Sequence, residues 1–146
     1  MFFKVMKSDY IHEYRYKAVV IPIIKNKFVV VKDAKYNEIT FVVGGCKRNE
    51  HILRCGLREL YEETRGVFGE VLPCHLKHLF TFESPNRSKQ ELAADKRQGV
   101  IVTMVYNVFI LDLQNMAYSN FNNLQNLYNL RNSINYETNG IYLMSK

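Results

Sequence analysis

The sequence predicts an α/β fold, one mixed domain with strands on either side of a central helix. Two observations lead there. Runs of β-branched and aromatic residues of strand length flank the middle of the chain, and a single apolar stripe at helical period occupies the middle itself. A third is composition, since 47% hydrophobic and 23% charged residues suit a packed core and argue against global disorder. At 146 residues the chain fits one domain, with residues 1–15 expected as an N-terminal extension to it.

Tyr16 to Ile24 (YKAVVIPII) and Phe28 to Lys32 (FVVVK) read as a hairpin turning at Asn26. A third short strand, Ile39 to Val43, ends at the pair Gly44-Gly45. The helical pattern follows from about Glu50 to Thr64, with Leu53, Leu57, Leu60 and Tyr61 on one stripe. Gly66 and Gly69 punctuate its end. Further strands are expected at His75 to Glu83 and Val100 to Leu111, joined by a charged loop from Ser84 to Gly99. Ser119 to Asn132 carries apolar residues at helical spacing, although its asparagines are weak helix formers. Gly140 to Met144 reads as the last strand.

Lys and Arg total 20 against 14 Asp and Glu, a net charge of +6. That balance favours polyanionic partners such as nucleotides or RNA and says nothing about fold. Cys46, Cys55 and Cys74 cannot all pair within the chain, and none stands in a CxxC spacing. Reduced structural thiols are therefore expected, and neither a disulfide framework nor a zinc site. The N-terminus lacks the apolar core of a secretory signal, and no run approaches the roughly 18 apolar residues of a membrane span. A soluble, cytoplasmic protein with no membrane partner is the expectation. Histidine chemistry has little support: His51, His75 and His78 are scattered, and no serine or cysteine stands in a nucleophile motif.

The informative stretch is Gly44 to Gly66, GGCKRNEHILRCGLRELYEETRG. Residues three and four apart are neighbours on a helix, so Glu59, Glu62 and Glu63 are expected on one side, opposite the apolar stripe. Crowded carboxylates repel one another unless a cation sits between them, and hard oxygen ligands suit Mg²⁺ or Mn²⁺. Arg58 stands one turn before Glu62 and can hold a carboxylate in a fixed orientation. Gly44 or Gly45 can bring backbone close to an anion or offer a carbonyl to a metal, because no Cβ intervenes. A solvated acidic helix face is the bland alternative for any one pair of these residues.

Spacing favours the sharper reading. The stretch resembles the Nudix box, G-x5-E-x7-R-E-U-x-E-E-x-G-U, with U a bulky apolar residue. Gly44, Glu50, Arg58, Glu59, Leu60, Glu62 and Glu63 fill its first seven specified positions without a gap. Average residue frequencies would produce such a match in roughly one of 10⁵ chains of this size. Two departures stand out. The glycine that should follow the glutamates falls at Arg65, with Gly66 one residue later, and the first rather than the second glycine of the pair fits the count.

The resemblance implies an α/β/α sandwich with a mixed sheet and a metal-assisted attack of water on phosphorus. It implies that Glu59, Glu62 and Glu63, with a backbone carbonyl such as that of Gly44, hold the metal, and that Glu50 steadies Arg58. Many family members add a distal acid as ligand or general base. Glu137, just before the last strand, fits that placement, with Glu91, Asp95 and Glu83 as alternatives. Lys47, Arg48 and Arg65, with Arg54 beside them, could meet a polyphosphate or an RNA backbone. So could Arg87, Lys89, Lys96 and Arg97. Tyr14, Tyr16 or Phe82 could stack on a base.

The run REL-YEET and the Asn-, Lys- and Ile-rich composition are similar to Nudix enzymes of large DNA viruses, some of which remove mRNA caps. That likeness makes capped RNA the first expected substrate. Diadenosine polyphosphates, ADP-ribose and oxidised nucleoside triphosphates are the alternatives within the same chemistry. A catalytically silent domain that binds RNA or protein is the alternative outside it, and the intact set of box glutamates argues against that reading.

Overall fold

A computed structural model describes residues 2–7, 10–84, 89–113, 121–131 and 137–146, with the side chains at 2, 3, 6, 7, 89 and 95 set aside. The strands are β1 (Phe2–Lys7), β2 (Tyr10–Ile24), β3 (Lys27–Asp33), β4 (Ile39–Thr40), β5 (Val42–Gly45), β6 (Leu76–Ser84), β7 (Val100–Asp112) and β8 (Thr138–Ser145). Among the described residues three α-helices join them, α1 (Ile52–Glu63), α2 (Lys89–Arg97) and α3 (Phe121–Leu130). The architecture is the expected mixed α/β one, and no helix among the described residues is long and apolar enough to cross a membrane.

The strands form one eight-stranded sheet running β4-β3-β2-β7-β6, with β1 and β5 added along β2 and β8 along β3. The long central strand explains the order. From Ala18 to Ile24, β2 is buried at every position, the pattern of a strand covered on both faces. It pairs in parallel with β7 from Ile11 through Ile23, and antiparallel with β5 from Lys17 to Val20. The predicted hairpin forms, with Lys25 and Asn26 at φ 50° and 61°, the left-handed backbone that a tight two-residue turn requires. Within the first fifteen residues, expected as an extension, residues 2–7 and 10–15 pair into the sheet as β1 and the start of β2.

Alternate residues of β2 feed two cores. Ala18, Val20, Val42, Leu60, Leu111, Tyr128 and Ile141 pack on the face covered by α1 and α3. Val19, Ile21, Ile23 and Val108 pack on the other.

Two expectations need correction. The segment expected as a charged loop contains α2. Its Gln-Glu-Leu-Ala-Ala run favours a helix, Glu91 sits in the first turn, and Lys96 and Arg97 sit in the last, matching the helix dipole. The second correction is the phase of α1. Its buried residues are Cys55, Gly56, Glu59, Leu60 and Glu63, whereas Tyr61 is 64% exposed and Leu53 and Leu57 pack only in part. The helix is turned so that two glutamates, not Tyr61, face the sheet.

Candidate metal and active site

β5 and α1 build the near side of the site. Residues 46–51 connect them through a turn closed at both ends. The Lys47 N–H donates to Glu50 Oε1 at 2.9 Å, and the Glu50 N–H donates to the Lys47 carbonyl at 3.0 Å. His51 caps α1, its Nδ1 accepting from the Leu53 N–H at 3.1 Å, a role usually taken by Ser, Thr, Asp or Asn.

Cys46 and Cys55 form a disulfide across this connection, with Cα atoms 5.2 Å apart. Reduced thiols were the expectation for both. A nine-residue separation carries no motif of its own, and only the fold of the loop back onto the first turns of α1 brings the sulfurs together. Cys74 is free and exposed. A Glu50 oxygen also comes within 4.8 Å of the Cys46 and Cys55 sulfurs. That trio is already committed, the sulfurs to each other and Glu50 to Arg58.

Arg58 organises the acids. Its Nε and Nη2 grip Glu50 as a fork at 2.8 and 2.9 Å, and Nη2 also donates to the Gly45 carbonyl at 2.9 Å. Nη1 donates to Glu59 at 2.9 Å and to Glu62 at 3.2 Å. One guanidinium thereby fixes three carboxylates and the end of β5, which needs the planar, many-donor geometry of arginine. The Arg58 hydrogen bonds hold the Glu50 carboxyl down at about 2.

Gly44 stands against Glu59. A Cβ added at Gly44 would fall inside the Glu59 carboxyl group, while one added at Gly45 meets nothing within 4 Å. The glycine needed for space is thus Gly44, and the carbonyl engaged by Arg58 is that of Gly45.

Burial sets the protonation of the deeper acids. Glu59 and Glu63 are each 6% exposed and lie one turn apart on the same face. Desolvation raises both carboxyls above the ordinary carboxylate range. In Glu63 a hydrogen bond shared with Glu59 and the nearby Glu59 charge push in the same direction. Glu63 Oε2 is buried without a hydrogen-bond partner among the described residues. An orphaned acceptor in an oxygen-only setting is what a hard divalent cation would satisfy.

The far side comes from the chain before β8. Oxygens of Glu59, Glu62 and Glu137 lie within 4.8 Å of one another. Glu137 therefore joins the box acids, whereas Glu91 lies exposed on α2 and Glu83 lies on β6, where its charge bears on Tyr16. The side chain of Asp95 lies outside the described residues, as do Arg87 and the side chain of Lys89. Lys47, Arg48 and Arg54 are exposed beside the site, and Lys96 and Arg97 are exposed at the end of α2.

Among the proposed base-stacking residues, Tyr14 and Tyr16 are half-buried. Phe82 stacks on Tyr106 with centroids 4.9 Å apart. A cavity of about 430 Å³ runs along α1 past Leu57, Arg58, Tyr61 and Val71, and none of the four acids lines it.

Arg65, expected as a possible substrate contact, is bonded within the fold. Its guanidinium donates to three backbone carbonyls, those of Tyr128, Arg131 and Thr138, and lies 4.1 Å over the Tyr128 ring. Arg65 has φ 55° and Gly66 has φ 65°. The left-handed turn after the helix thus spans two residues, and an arginine holds the first at a cost of about 1–2 kcal/mol.

No family model and no curated protein sequence matches the chain. Solved structures do. A pyrophosphohydrolase of Bacillus subtilis is similar with a TM-score of 0.57 at 17% identity, over 99% of this chain and 72% of that one. The dihydroneopterin triphosphate pyrophosphohydrolase of E. coli is similar with a TM-score of 0.56 at 16% identity, over 90% of this chain and 82% of that one. A MutT/nudix family protein of Enterococcus faecalis is similar with a TM-score of 0.55 at 15% identity, over 88% of this chain but only 42% of that longer one. At such identities the likeness is one of architecture, and it is plain: the chain has the Nudix fold.

Proposed function

We propose that the protein is a divalent-metal-dependent Nudix hydrolase that cleaves a pyrophosphate linkage in a nucleotide-containing substrate. The observation that carries this reading is the meeting of Glu59, Glu62 and Glu137 within 4.8 Å, beside the buried and unpartnered Glu63 Oε2. Bound Mg²⁺ or Mn²⁺ would neutralise charge developing on the phosphoryl group and acidify the attacking water. The chain's own residues do the rest. Arg58 holds Glu59 and Glu62 in place, Glu50 holds Arg58, and the exposed Glu137 carboxylate is placed to accept the proton that the water gives up. The exposed Lys47 and Arg48 on the loop between β5 and α1 suit the phosphates of the substrate.

Within that class the 5′ cap of mRNA is the substrate we favour, supported by the net charge of +6 and the basic loop beside the acids. A second reading, a free nucleotide derivative such as ADP-ribose, is supported by the similar Nudix domain of a Shewanella oneidensis protein, solved with ADP ribose (TM-score 0.53, 14% identity, over 96% of this chain and 75% of that one). Capped RNA and a panel of nucleoside diphosphate derivatives, incubated with Mg²⁺ or Mn²⁺ and read by product mass, separate the two. Glu62→Gln and Glu63→Gln should each lower turnover at least about 10²-fold with an unchanged circular dichroism spectrum. Near-normal activity in both variants, or full activity in EDTA, would overturn the metal-hydrolase reading.

A further inference from the structure

We propose that Arg65 is a positioning residue that sets the distal acid: it latches α3 and the start of β8 to the end of α1 and thereby places Glu137 at the acid cluster. The inference rests on the metal role proposed for that cluster.

Arg65 stands at the count where the Nudix pattern has glycine, and it adopts a left-handed backbone, φ 55°, that glycine would take at less cost. A side chain kept in that conformation needs a return, and the return is visible. Nη1 donates to the carbonyls of Tyr128 at 3.1 Å and Arg131 at 2.9 Å, and Nη2 donates to that of Thr138 at 3.1 Å. Arg131, just past α3, answers, its Nη1 donating to the Arg65 carbonyl at 3.0 Å and the Gly66 carbonyl at 2.6 Å. The two arginines lock the turn after α1 to the end of α3.

Thr138 carries the lock into β8. Its hydroxyl donates to the Glu63 carbonyl at 2.7 Å, one of the helix-end carbonyls that has no partner within α1. That uses its only proton, so the Tyr128 hydroxyl is the donor in the 2.6 Å bond between Tyr128 and Thr138. Tyr128 is 1% exposed and Thr138 4%. The residue before Thr138 is Glu137, whose own carbonyl accepts from the Ala34 N–H at 2.9 Å. Glu137 thus has its backbone pinned on both sides of its peptide group while its carboxylate is free to meet Glu59 and Glu62. Glycine at position 65 would leave the three carbonyls without their donor. Lysine would offer a point charge in place of a planar fork.

The test compares Arg65→Gly, Arg65→Lys, Thr138→Val and Glu137→Gln, singly and with Glu137→Gln added to each of the others, by titration with Mn²⁺ alone. Circular dichroism checks each fold. Arg65→Gly and Glu137→Gln are each expected to weaken Mn²⁺ binding about tenfold, and the double variant no further than Glu137→Gln by itself. Arg65→Lys should recover only part of the loss, and Thr138→Val should repeat the pattern should Arg65→Gly fail to fold. Wild-type binding in Arg65→Gly or Thr138→Val, or losses that multiply in the double variants, would make the latch a matter of stability alone and overturn the proposal. Wild-type binding in Glu137→Gln with binding lost in Glu63→Gln would overturn it while leaving the metal reading intact. Wild-type binding in Glu62→Gln, Glu63→Gln and Glu137→Gln together would remove the metal reading itself.

Discussion

At the N-terminal end of α1, the contacts that shape the site are made between near neighbours in the chain. Arg58 reaches back eight residues to Glu50 and thirteen to Gly45, and the disulfide spans nine. At the C-terminal end the partners are 63 to 75 residues away, on α3 and β8. Both ends deliver carboxylates to one cluster. The near end is a compact unit whose geometry follows from local spacing, and the far end is assembled only when the chain closes its sheet. The difference separates a motif from a site: the motif supplies Glu59, Glu62 and Glu63, but Glu137 arrives through tertiary closure.

The largest expected effect is on the residue that both ends share. Leu60, 2% exposed in the core under α1, should cost about 2–5 kcal/mol when changed to Ala, measured by urea denaturation. Leu57→Ala should cost less, since Leu57 packs only partly. Equal losses would mean that α1 is held by the stripe the spacing predicted and not by the observed face.

Next comes the near end's covalent tie. Reduction of Cys46–Cys55, or Cys46→Ser, should lower stability by roughly 2–3 kcal/mol, the chain-entropy value for a loop this short. Intact mass after alkylation counts the thiols. No change in the unfolding midpoint would place all of the near end's order in the Arg58 fork.

Gly44→Ala should weaken Mn²⁺ binding about 10- to 100-fold, because the new Cβ occupies the space of the Glu59 carboxyl. Gly45→Ala, with open space at its Cβ, should bind as the wild type does. Reversal of that order would move the metal-side role from Gly44 to Gly45.

The smallest effect is protonic. Burial raises the folded-state pKa values of Glu59 and Glu63 above their ordinary 4.5, and Glu59 adds to the rise in Glu63. The metal-free folded state therefore holds more protons than the unfolded one above that pH, and its stability falls as pH rises through the shifted range. A cation would displace the shared proton. Calorimetric Mn²⁺ titrations near neutral pH should show heats that vary with the ionisation enthalpy of the buffer. Buffer-independent heats would mean that the pair is already ionised before metal arrives.

The near end was legible in the sequence because helix periodicity and loop length are local quantities. The spacing from Gly44 to Glu63 names the acids and the arginine without any fold. It misjudged the face of α1, since an apolar stripe ranks residues by hydrophobicity, whereas the space opened by Gly44 lets Glu59 lie against the end of β5. It also missed α2, where Glu91, Lys96 and Arg97 had signalled helix ends inside what read as a charged loop.

By itself the sequence determined the hairpin at Asn26, the strands corresponding to β6, β7 and β8, the helices α1 and α3 and the set of box carboxylates, because each depends on neighbours within a turn or a strand. Only the tertiary structure decided that Cys46 meets Cys55, that Arg65 serves three backbone carbonyls, and that Glu137 stands beside Glu59 and Glu62. Those contacts depend on which distant segments the parallel pairing of β2 with β7 and the antiparallel pairing of β3 with β8 bring together, and no local spacing encodes that closure.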